Sequence, residues 1–246
     1  MKGRKQIDSL AQGLRKASAV QYCELGMIWE EADGTLWRYC KAGANALSAG
    51  KMGQCTVAVA NHIACTPVAN VAAGPGSKTF NLTVGNTAVT ADQYKDGWMI
   101  VTAGTGLGQR YLITANTACA GNGVTTLTID DNLQVGLALS DTKIDLIPNP
   151  WNGVTESNTA TEVPAGVPLV AVPANYYYWA QIGGPAACLT YGTPAVGAML
   201  TLSSNTAGAL ESLSVTIATT VVQPILATML STAGVSGSYK SVMLKL

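Results

Sequence analysis

The sequence predicts an all-β protein: short-stranded β-sandwich or β-barrel modules carrying an extended or short helical N-terminal arm. Short β-prone runs recur along most of the chain, and clusters of Gly, Asn, Asp and Pro separate them. No long helical period intervenes.

Taken in order, the arm spans 1–20, where Ile7, Leu10, Ala11, Leu14 and Ala17 fall at helical spacing with the basic residues mostly off that face. Either a short amphipathic helix or a mobile arm fits this pattern. A hairpin region follows over 21–77. In GMIWEEADGTLWRYCKAG, two β-prone runs, 26–32 and 35–41, meet at Asp33-Gly34, a pair suited to a type I′ turn. Further strands are expected at 55–60, 79–84, 97–102, 109–114, 124–130, 143–147, 167–172, 176–182, 196–202, 213–221 and 239–246, with one short helix at 224–233. A Gly/Pro/Ala linker at 69–78 and a Pro/Asn-rich passage at 148–166 set off an inserted β module, 78–148, from a C-terminal β-domain, 149–246. The tripeptide Asn-Thr-Ala recurs at 86, 116, 158 and 205, too irregularly for a repeat, and reads as reused turn chemistry.

Only 11% of the 246 residues are charged and 48% are hydrophobic, against about 25% charged in an ordinary soluble domain. Charge keeps folded chains apart, so such a surface is expected to be partly covered by other subunits. Residues 1–16 hold Lys2, Arg4, Lys5, Arg15 and Lys16 against Asp8, a surplus of +4 in a chain whose formal net charge is zero. No charged side chain lies between Glu162 and Glu211, and Lys240 is the next beyond. Pro164, Pro168, Pro173, Pro185 and Pro194 break this region well short of a membrane span, and Gln223, Pro224 and several threonines interrupt 213–230. The basic start is not followed by an apolar run, because Asp8, Gln12 and Arg15 interrupt it, so use without secretory export is expected. Most of the six widely spaced cysteines in a chain of this size read as reduced, small, buried hydrophobes, with a disulfide formed late as the alternative.

Catalytic and metal-binding patterns are sparse. His62 is the only histidine, so a Cys–His dyad would have to pair it with Cys55 or Cys65, and its Ala/Val/Ile surroundings favour a structural role. Asp130, Asp131, Asp141 and Asp145 lack calcium-loop spacing and read as turn carboxylates. Gly104, Gly106 and Gly108 precede a strand, not a helix, which favours a hairpin loop over a phosphate cradle. No catalytic residue, metal or cofactor is expected. The net-acidic body argues against specific nucleic-acid binding, and the arm alone would attach only weakly.

The run YYYWAQIGGP concentrates aromatics in one place. As a strand it turns Tyr176, Tyr178 and Ala180 to one side and Tyr177, Trp179 and Gln181 to the other. Such a strand is expected to be buried twice, once in its own barrel and once against a partner, and to end at Gly183-Gly184-Pro185; an ordinary core strand with one tyrosine row at the surface is the alternative.

Three stretches carry a resemblance: LGMIWEEADGTLWRYCKAGANALSAGKMG; DGWMIVTAGTGLGQRYLITANTACAGNGVTTLTIDDNLQVGLALSDTKIDLIPNPWNGV; and VPAGVPLVAVPANYYYWAQIGGPAACLTYGTPAVGAMLTLS. Together, and in this order, they resemble the decoration, or cement, proteins of tailed-bacteriophage capsids. The resemblance implies a non-enzymatic virion protein at the capsid surface, assembled in the host cytoplasm. It implies a homotrimer that binds the outside of a lattice of major capsid protein with the HK97-type fold and stabilises the head, with no membrane partner. Expected subunit or capsid contacts are Lys2, Arg4, Lys5, Arg15 and Lys16 of the arm and the aromatics Trp37, Tyr39, Tyr177 and Trp179. Length and the inserted module depart from a minimal cement protein. They leave open a tail, fibre or receptor-binding protein with the module as its adhesive tip, and, more remotely, a polysaccharide hydrolase.

Overall fold

The structure, a computed structural model, describes residues 12–68, 74–139, 141–157, 163–213, 223–231 and 234–246. It is all-β and divides into two compact units, the first taking the chain up to Thr56 and again from Trp151, the second running from Val57 to Pro150. The first unit opens with β1 (Ile28–Glu30), β2 (Leu36–Ala42) and β3 (Gly53–Gln54). The second contains β4 (Thr66–Pro67), β5 (Thr79–Thr83), β6 (Trp98–Ala103), β7 (Arg110–Asn116), β8 (Val124–Ile129) and β9 (Lys143–Ile147). The chain then returns to the first unit as β10 (Asn152–Glu156), β11 (Pro164–Pro168), β12 (Tyr177–Thr190), β13 (Met199–Leu202), β14 (Leu210–Ser212), β15 (Ala227–Met229) and β16 (Ser238–Lys245).

In the second unit the strand order is β4-β5-β8-β7-β6-β9. The bridge Cys65↔Ile144, with N–H···O distances of 2.8 and 2.9 Å in the two directions, closes this sheet on itself. Strict alternation drives the closure: Phe80 and Leu82, Met99 and Val101, Ile144 and Leu146 all point inward, and their neighbours point out. Because β4 is laddered to β5, the expected boundary at 77/78 is a connection inside this unit, whose limits are 57 and 150.

The first unit contains two closed rings of strands. β2 pairs with β10, β10 with β3, β3 with β11, β11 with β12, and β12 with β2 again. The second ring runs from β12 through β14, β13, β15 and β16 and back to β12. Cys40, Ala42, Val154, Tyr178 and Ala180 share the core cluster of the first ring, while Leu200, Leu202, Met229, Val242 and Leu244 share that of the second.

The strand common to both rings corrects the expectation that Gly183-Gly184-Pro185 is a stop. Tyr177 to Gln181 pair with β2, and from Gly183 to Thr190 the ladder is with β16. The register slips at Ile182, and Gly184 takes φ +88°, a left-handed conformation natural to glycine. Buried Gln181 braces the bulge, its Nε2 donating to the carbonyls of Gly183 (3.1 Å) and Pro185 (2.8 Å). The sequence motif therefore bends the strand from one closed sheet into the next.

Other expectations are corrected by particular contacts. The 31–35 turn is a three-residue loop: Gly34 N–H donates to Glu31 O, Glu31 N–H to Thr35 O, and only Gly34 has positive φ, so it is a type I turn with a bulge and not type I′. Asp33 holds it by accepting the Thr35 N–H at 2.9 Å. No strand forms over 55–60, where the chain crosses the boundary between the units, and the strand expected at 167–172 lies at Pro164–Pro168. Instead of a helix beginning at 224, the described residues form β15, because Ala227 and Met229 fill the second core while their backbone pairs with β13 and β16. The strand expected at 213–221 lies almost wholly outside the described residues, as do positions 1–11 of the arm. From residue 12 the arm makes turns, not helix, and pairs through Ser18↔Tyr177.

Candidate functional site

The aromatics expected to meet a partner are assembled by the pairing of β2 with β12. Their register sets Tyr39 opposite Trp179 and Trp37 opposite Gln181 on one face, and Tyr178 opposite Cys40 on the other. The strand is indeed buried on both faces, but the second cover is the chain's own segment 12–29, whose Leu14, Leu25, Met27 and Trp29 pack on Trp37, Tyr39 and Trp179. Tyr39 and Trp179 are 0% and 1% exposed. They meet edge to face at 5.0 Å. Trp37, Tyr39 and Trp179 thus have no surface to offer another subunit, which corrects their reading as contact residues. Tyr177 stays half-buried, stacked on Tyr39 at 6.0 Å with Lys41 Nζ 5.3 Å from its ring. Arg15 and Lys16 are exposed, and Lys2, Arg4 and Lys5 lie outside the described residues.

Gln12 pins this cover. Its Nε2 donates to the carbonyls of Lys16 (2.7 Å) and Tyr177 (2.9 Å), and its Oε1 accepts from the Tyr39 hydroxyl at 2.7 Å. Its own carbonyl accepts from Trp179 Nε1 at 3.1 Å. Tyr39 also accepts from the Tyr22 N–H at 3.0 Å, and burial pushes its hydroxyl above the ordinary tyrosine range, which keeps the donor proton in place.

His62 is fully buried in the second unit. Since the Thr87 carbonyl can only accept, Nε2 donates to that oxygen at 2.9 Å, and Nδ1 is hydrogen-bonded with the Tyr94 hydroxyl. Both ring nitrogens are committed to structural partners, neither of them a cysteine. Burial raises the Cys55 and Cys65 thiols to about 11. All six cysteines are free. Asp145 accepts from the Ala64 N–H and Asp141 from the Thr105 hydroxyl, and among the described residues no three metal-ligating side chains cluster. Likewise, no helix among them is long and apolar enough to cross a membrane. Gly104, Gly106 and Gly108 lie in the loop that joins antiparallel β6 and β7.

Two surface features went unread in the sequence. On the outer face of the second ring, register aligns Met199, Thr228, Met243 and Pro185 in one row across β13, β15, β16 and β12. Met199 is 55% and Met243 40% exposed, and Tyr239, further along β16, is 51% exposed. No member of the row is charged. The only signal available was the charge-free stretch itself, which does not say which residues face outward.

The second feature is a groove of about 420 Å³ on the second unit. It is lined by the outward residues Trp98, Arg110 and Leu112 of β6 and β7, by Gln109 and Tyr111, and by Asp130, Asp131 and Gln134 beyond β8. Arg110 reaches over the Trp98 ring at 5.9 Å from its centroid.

Comparisons with protein-family models, with curated proteins and with solved structures find no match.

Proposed function

We propose that this protein is a structural component of a tailed-phage virion, a decoration protein that self-associates and reinforces the outside of a head built from an HK97-type major capsid protein. The observation that carries the reading is the uncharged, exposed row Met199–Thr228–Met243–Pro185 on a ring drawn mainly from the charge-free C-terminal region. Exposed sheet faces of monomers are normally broken up by charge; on this face the exposed Lys245 stands two residues beyond Met243, and the row itself carries two exposed methionines and no charge. Two methionines suit it to a partner surface, being flexible and polarisable. The three-part resemblance to cement proteins and the low overall charge support the same reading. The other reading, a tail, fibre or receptor-binding protein, is favoured by the groove on the inserted unit.

Quantitative mass spectrometry of purified source virions, scaled to the major capsid protein, tests the proposal. A copy number comparable to the shell protein is expected. A few copies per particle would assign the chain to a tail or fibre, and its absence from virions would overturn both readings.

A further inference from the structure

We infer that the groove between Trp98 and Asp130–Asp131 is a binding site for a neutral saccharide. Its volume, about 420 Å³, lies within the range of small-molecule sites, roughly 300–1,000 Å³. The hydrogen-bonding groups along it are held in defined roles. The Tyr111 hydroxyl donates to Gln109 Oε1 and accepts the Gln134 N–H at 2.9 Å. Gln109 therefore has its amide N–H groups left to offer. Gln134 Nε2 donates to the Asn132 carbonyl at 3.1 Å, which leaves its Oε1 as an acceptor. Fixed donors and acceptors thus stand beside an indole ring.

The charges decide what class of ligand fits. The Arg110 guanidinium stands 5.9 Å from the centroid of the Trp98 ring, so a cationic ligand in the groove meets a like charge. Asp130 and Asp131 oppose an anion. What remains is an uncharged molecule with apolar surface to set against Trp98 and Leu112 and a rim of groups that both donate and accept. A pyranose has this form: its axial C–H bonds present an apolar face and its equatorial hydroxyls radiate in the plane. Asp131 Oδ1 already accepts the Asn132 N–H at 2.7 Å, so its second oxygen and the Asp130 carboxylate accept from those hydroxyls, while Arg110 and Gln109 donate to them.

A head protein and a fibre protein can each carry such a site, so virion copy number and saccharide binding are read separately. The test is an array of neutral oligosaccharides (β-glucan, α-glucan, mannan and chitin fragments) with sulfated and uronic-acid oligosaccharides alongside, probed with the 246-residue chain. Hits are then measured by isothermal titration calorimetry. Binding to one or more neutral oligosaccharides is expected, weakened at least tenfold in Trp98→Ala and in Asp131→Asn. The second variant is an exposed, isosteric change that guards against misfolding of the first, and circular-dichroism melts of both accompany the titrations. Binding confined to the acidic oligosaccharides, no binding to any, or neutral binding left intact in a folded Asp131→Asn and a folded Trp98→Ala would each overturn the assignment.

Discussion

Tyr39 and Tyr178 lie on opposite faces of the same strand pair, and deletion of one oxygen from each is expected to act in opposite directions. The Tyr39 hydroxyl is buried and satisfied, donating to Gln12 Oε1 and accepting from the Tyr22 N–H. Tyr39→Phe keeps the ring and its packing but strands the amide oxygen of Gln12, itself buried at 3% exposure. A buried polar group deprived of its partner costs about 1–3 kcal/mol. The Tyr178 hydroxyl is also buried, but has no hydrogen-bond partner among the described residues. Tyr178→Phe removes a group that already bears its desolvation cost, so stability is expected to hold or to rise by up to about 1 kcal/mol. Urea unfolding followed by tryptophan fluorescence reads this directly, because Trp29, Trp37, Trp151 and Trp179 lie in the first unit and only Trp98 in the second. Equal m-values make the midpoints comparable. A Tyr39→Phe midpoint indistinguishable from the parent would refute the account of how the segment 12–29 is held, and a Tyr178→Phe loss as large as that of Tyr39→Phe would refute the reading of its hydroxyl as buried without a partner.

Glu156 predicts a pH dependence. Burial pushes its carboxyl up, but the Lys51 ammonium at 2.9 Å and hydrogen bonds from Ser48 outweigh that and hold it below the usual glutamate range. A depressed carboxyl stabilises the fold above its unfolded-state pKa, and this contribution is lost as the pH falls through the folded value. Glu156→Gln should therefore lower the melting temperature at neutral pH and differ little from the parent at the acid end, as scanned by circular dichroism. On the second ring, Met243→Asp places a charge in the exposed row without touching the core. Sedimentation velocity should show self-association lost while the melting temperature stays within a few degrees, and an unchanged oligomer would remove this face as the interface.

What local pattern encodes was legible. β5, β6, β7, β8 and β9 lie within two residues of their expected limits, because inward residues such as Phe80, Leu82, Met99 and Val101 alternate with polar ones and Gly or Asn punctuates the runs. What depends on distant partners was not. Gly183-Gly184-Pro185 reads locally as a stop, and only β16, more than fifty residues later, supplies the ladder that carries the strand onward. The double burial of the YYYW strand followed from its alternation. Alternation is blind to whether the covering surface belongs to the same chain, and here it is the segment that ends in Met27 and Trp29. The groove was illegible for the same reason: Trp98, Arg110 and Asp131 become neighbours only once β6 and β7 pair and the chain beyond β8 comes round beside them.

The strand β12 has a mechanical consequence. Pulled along its length, it loads its bonds to β2 on one side of the bulge and to β16 on the other in shear, so rows of bonds resist together instead of opening one at a time. Both rings hang on this single beam, with Gln181 as the bracket at its bend. A force that reaches β12 in either ring is passed to the other through covalent backbone.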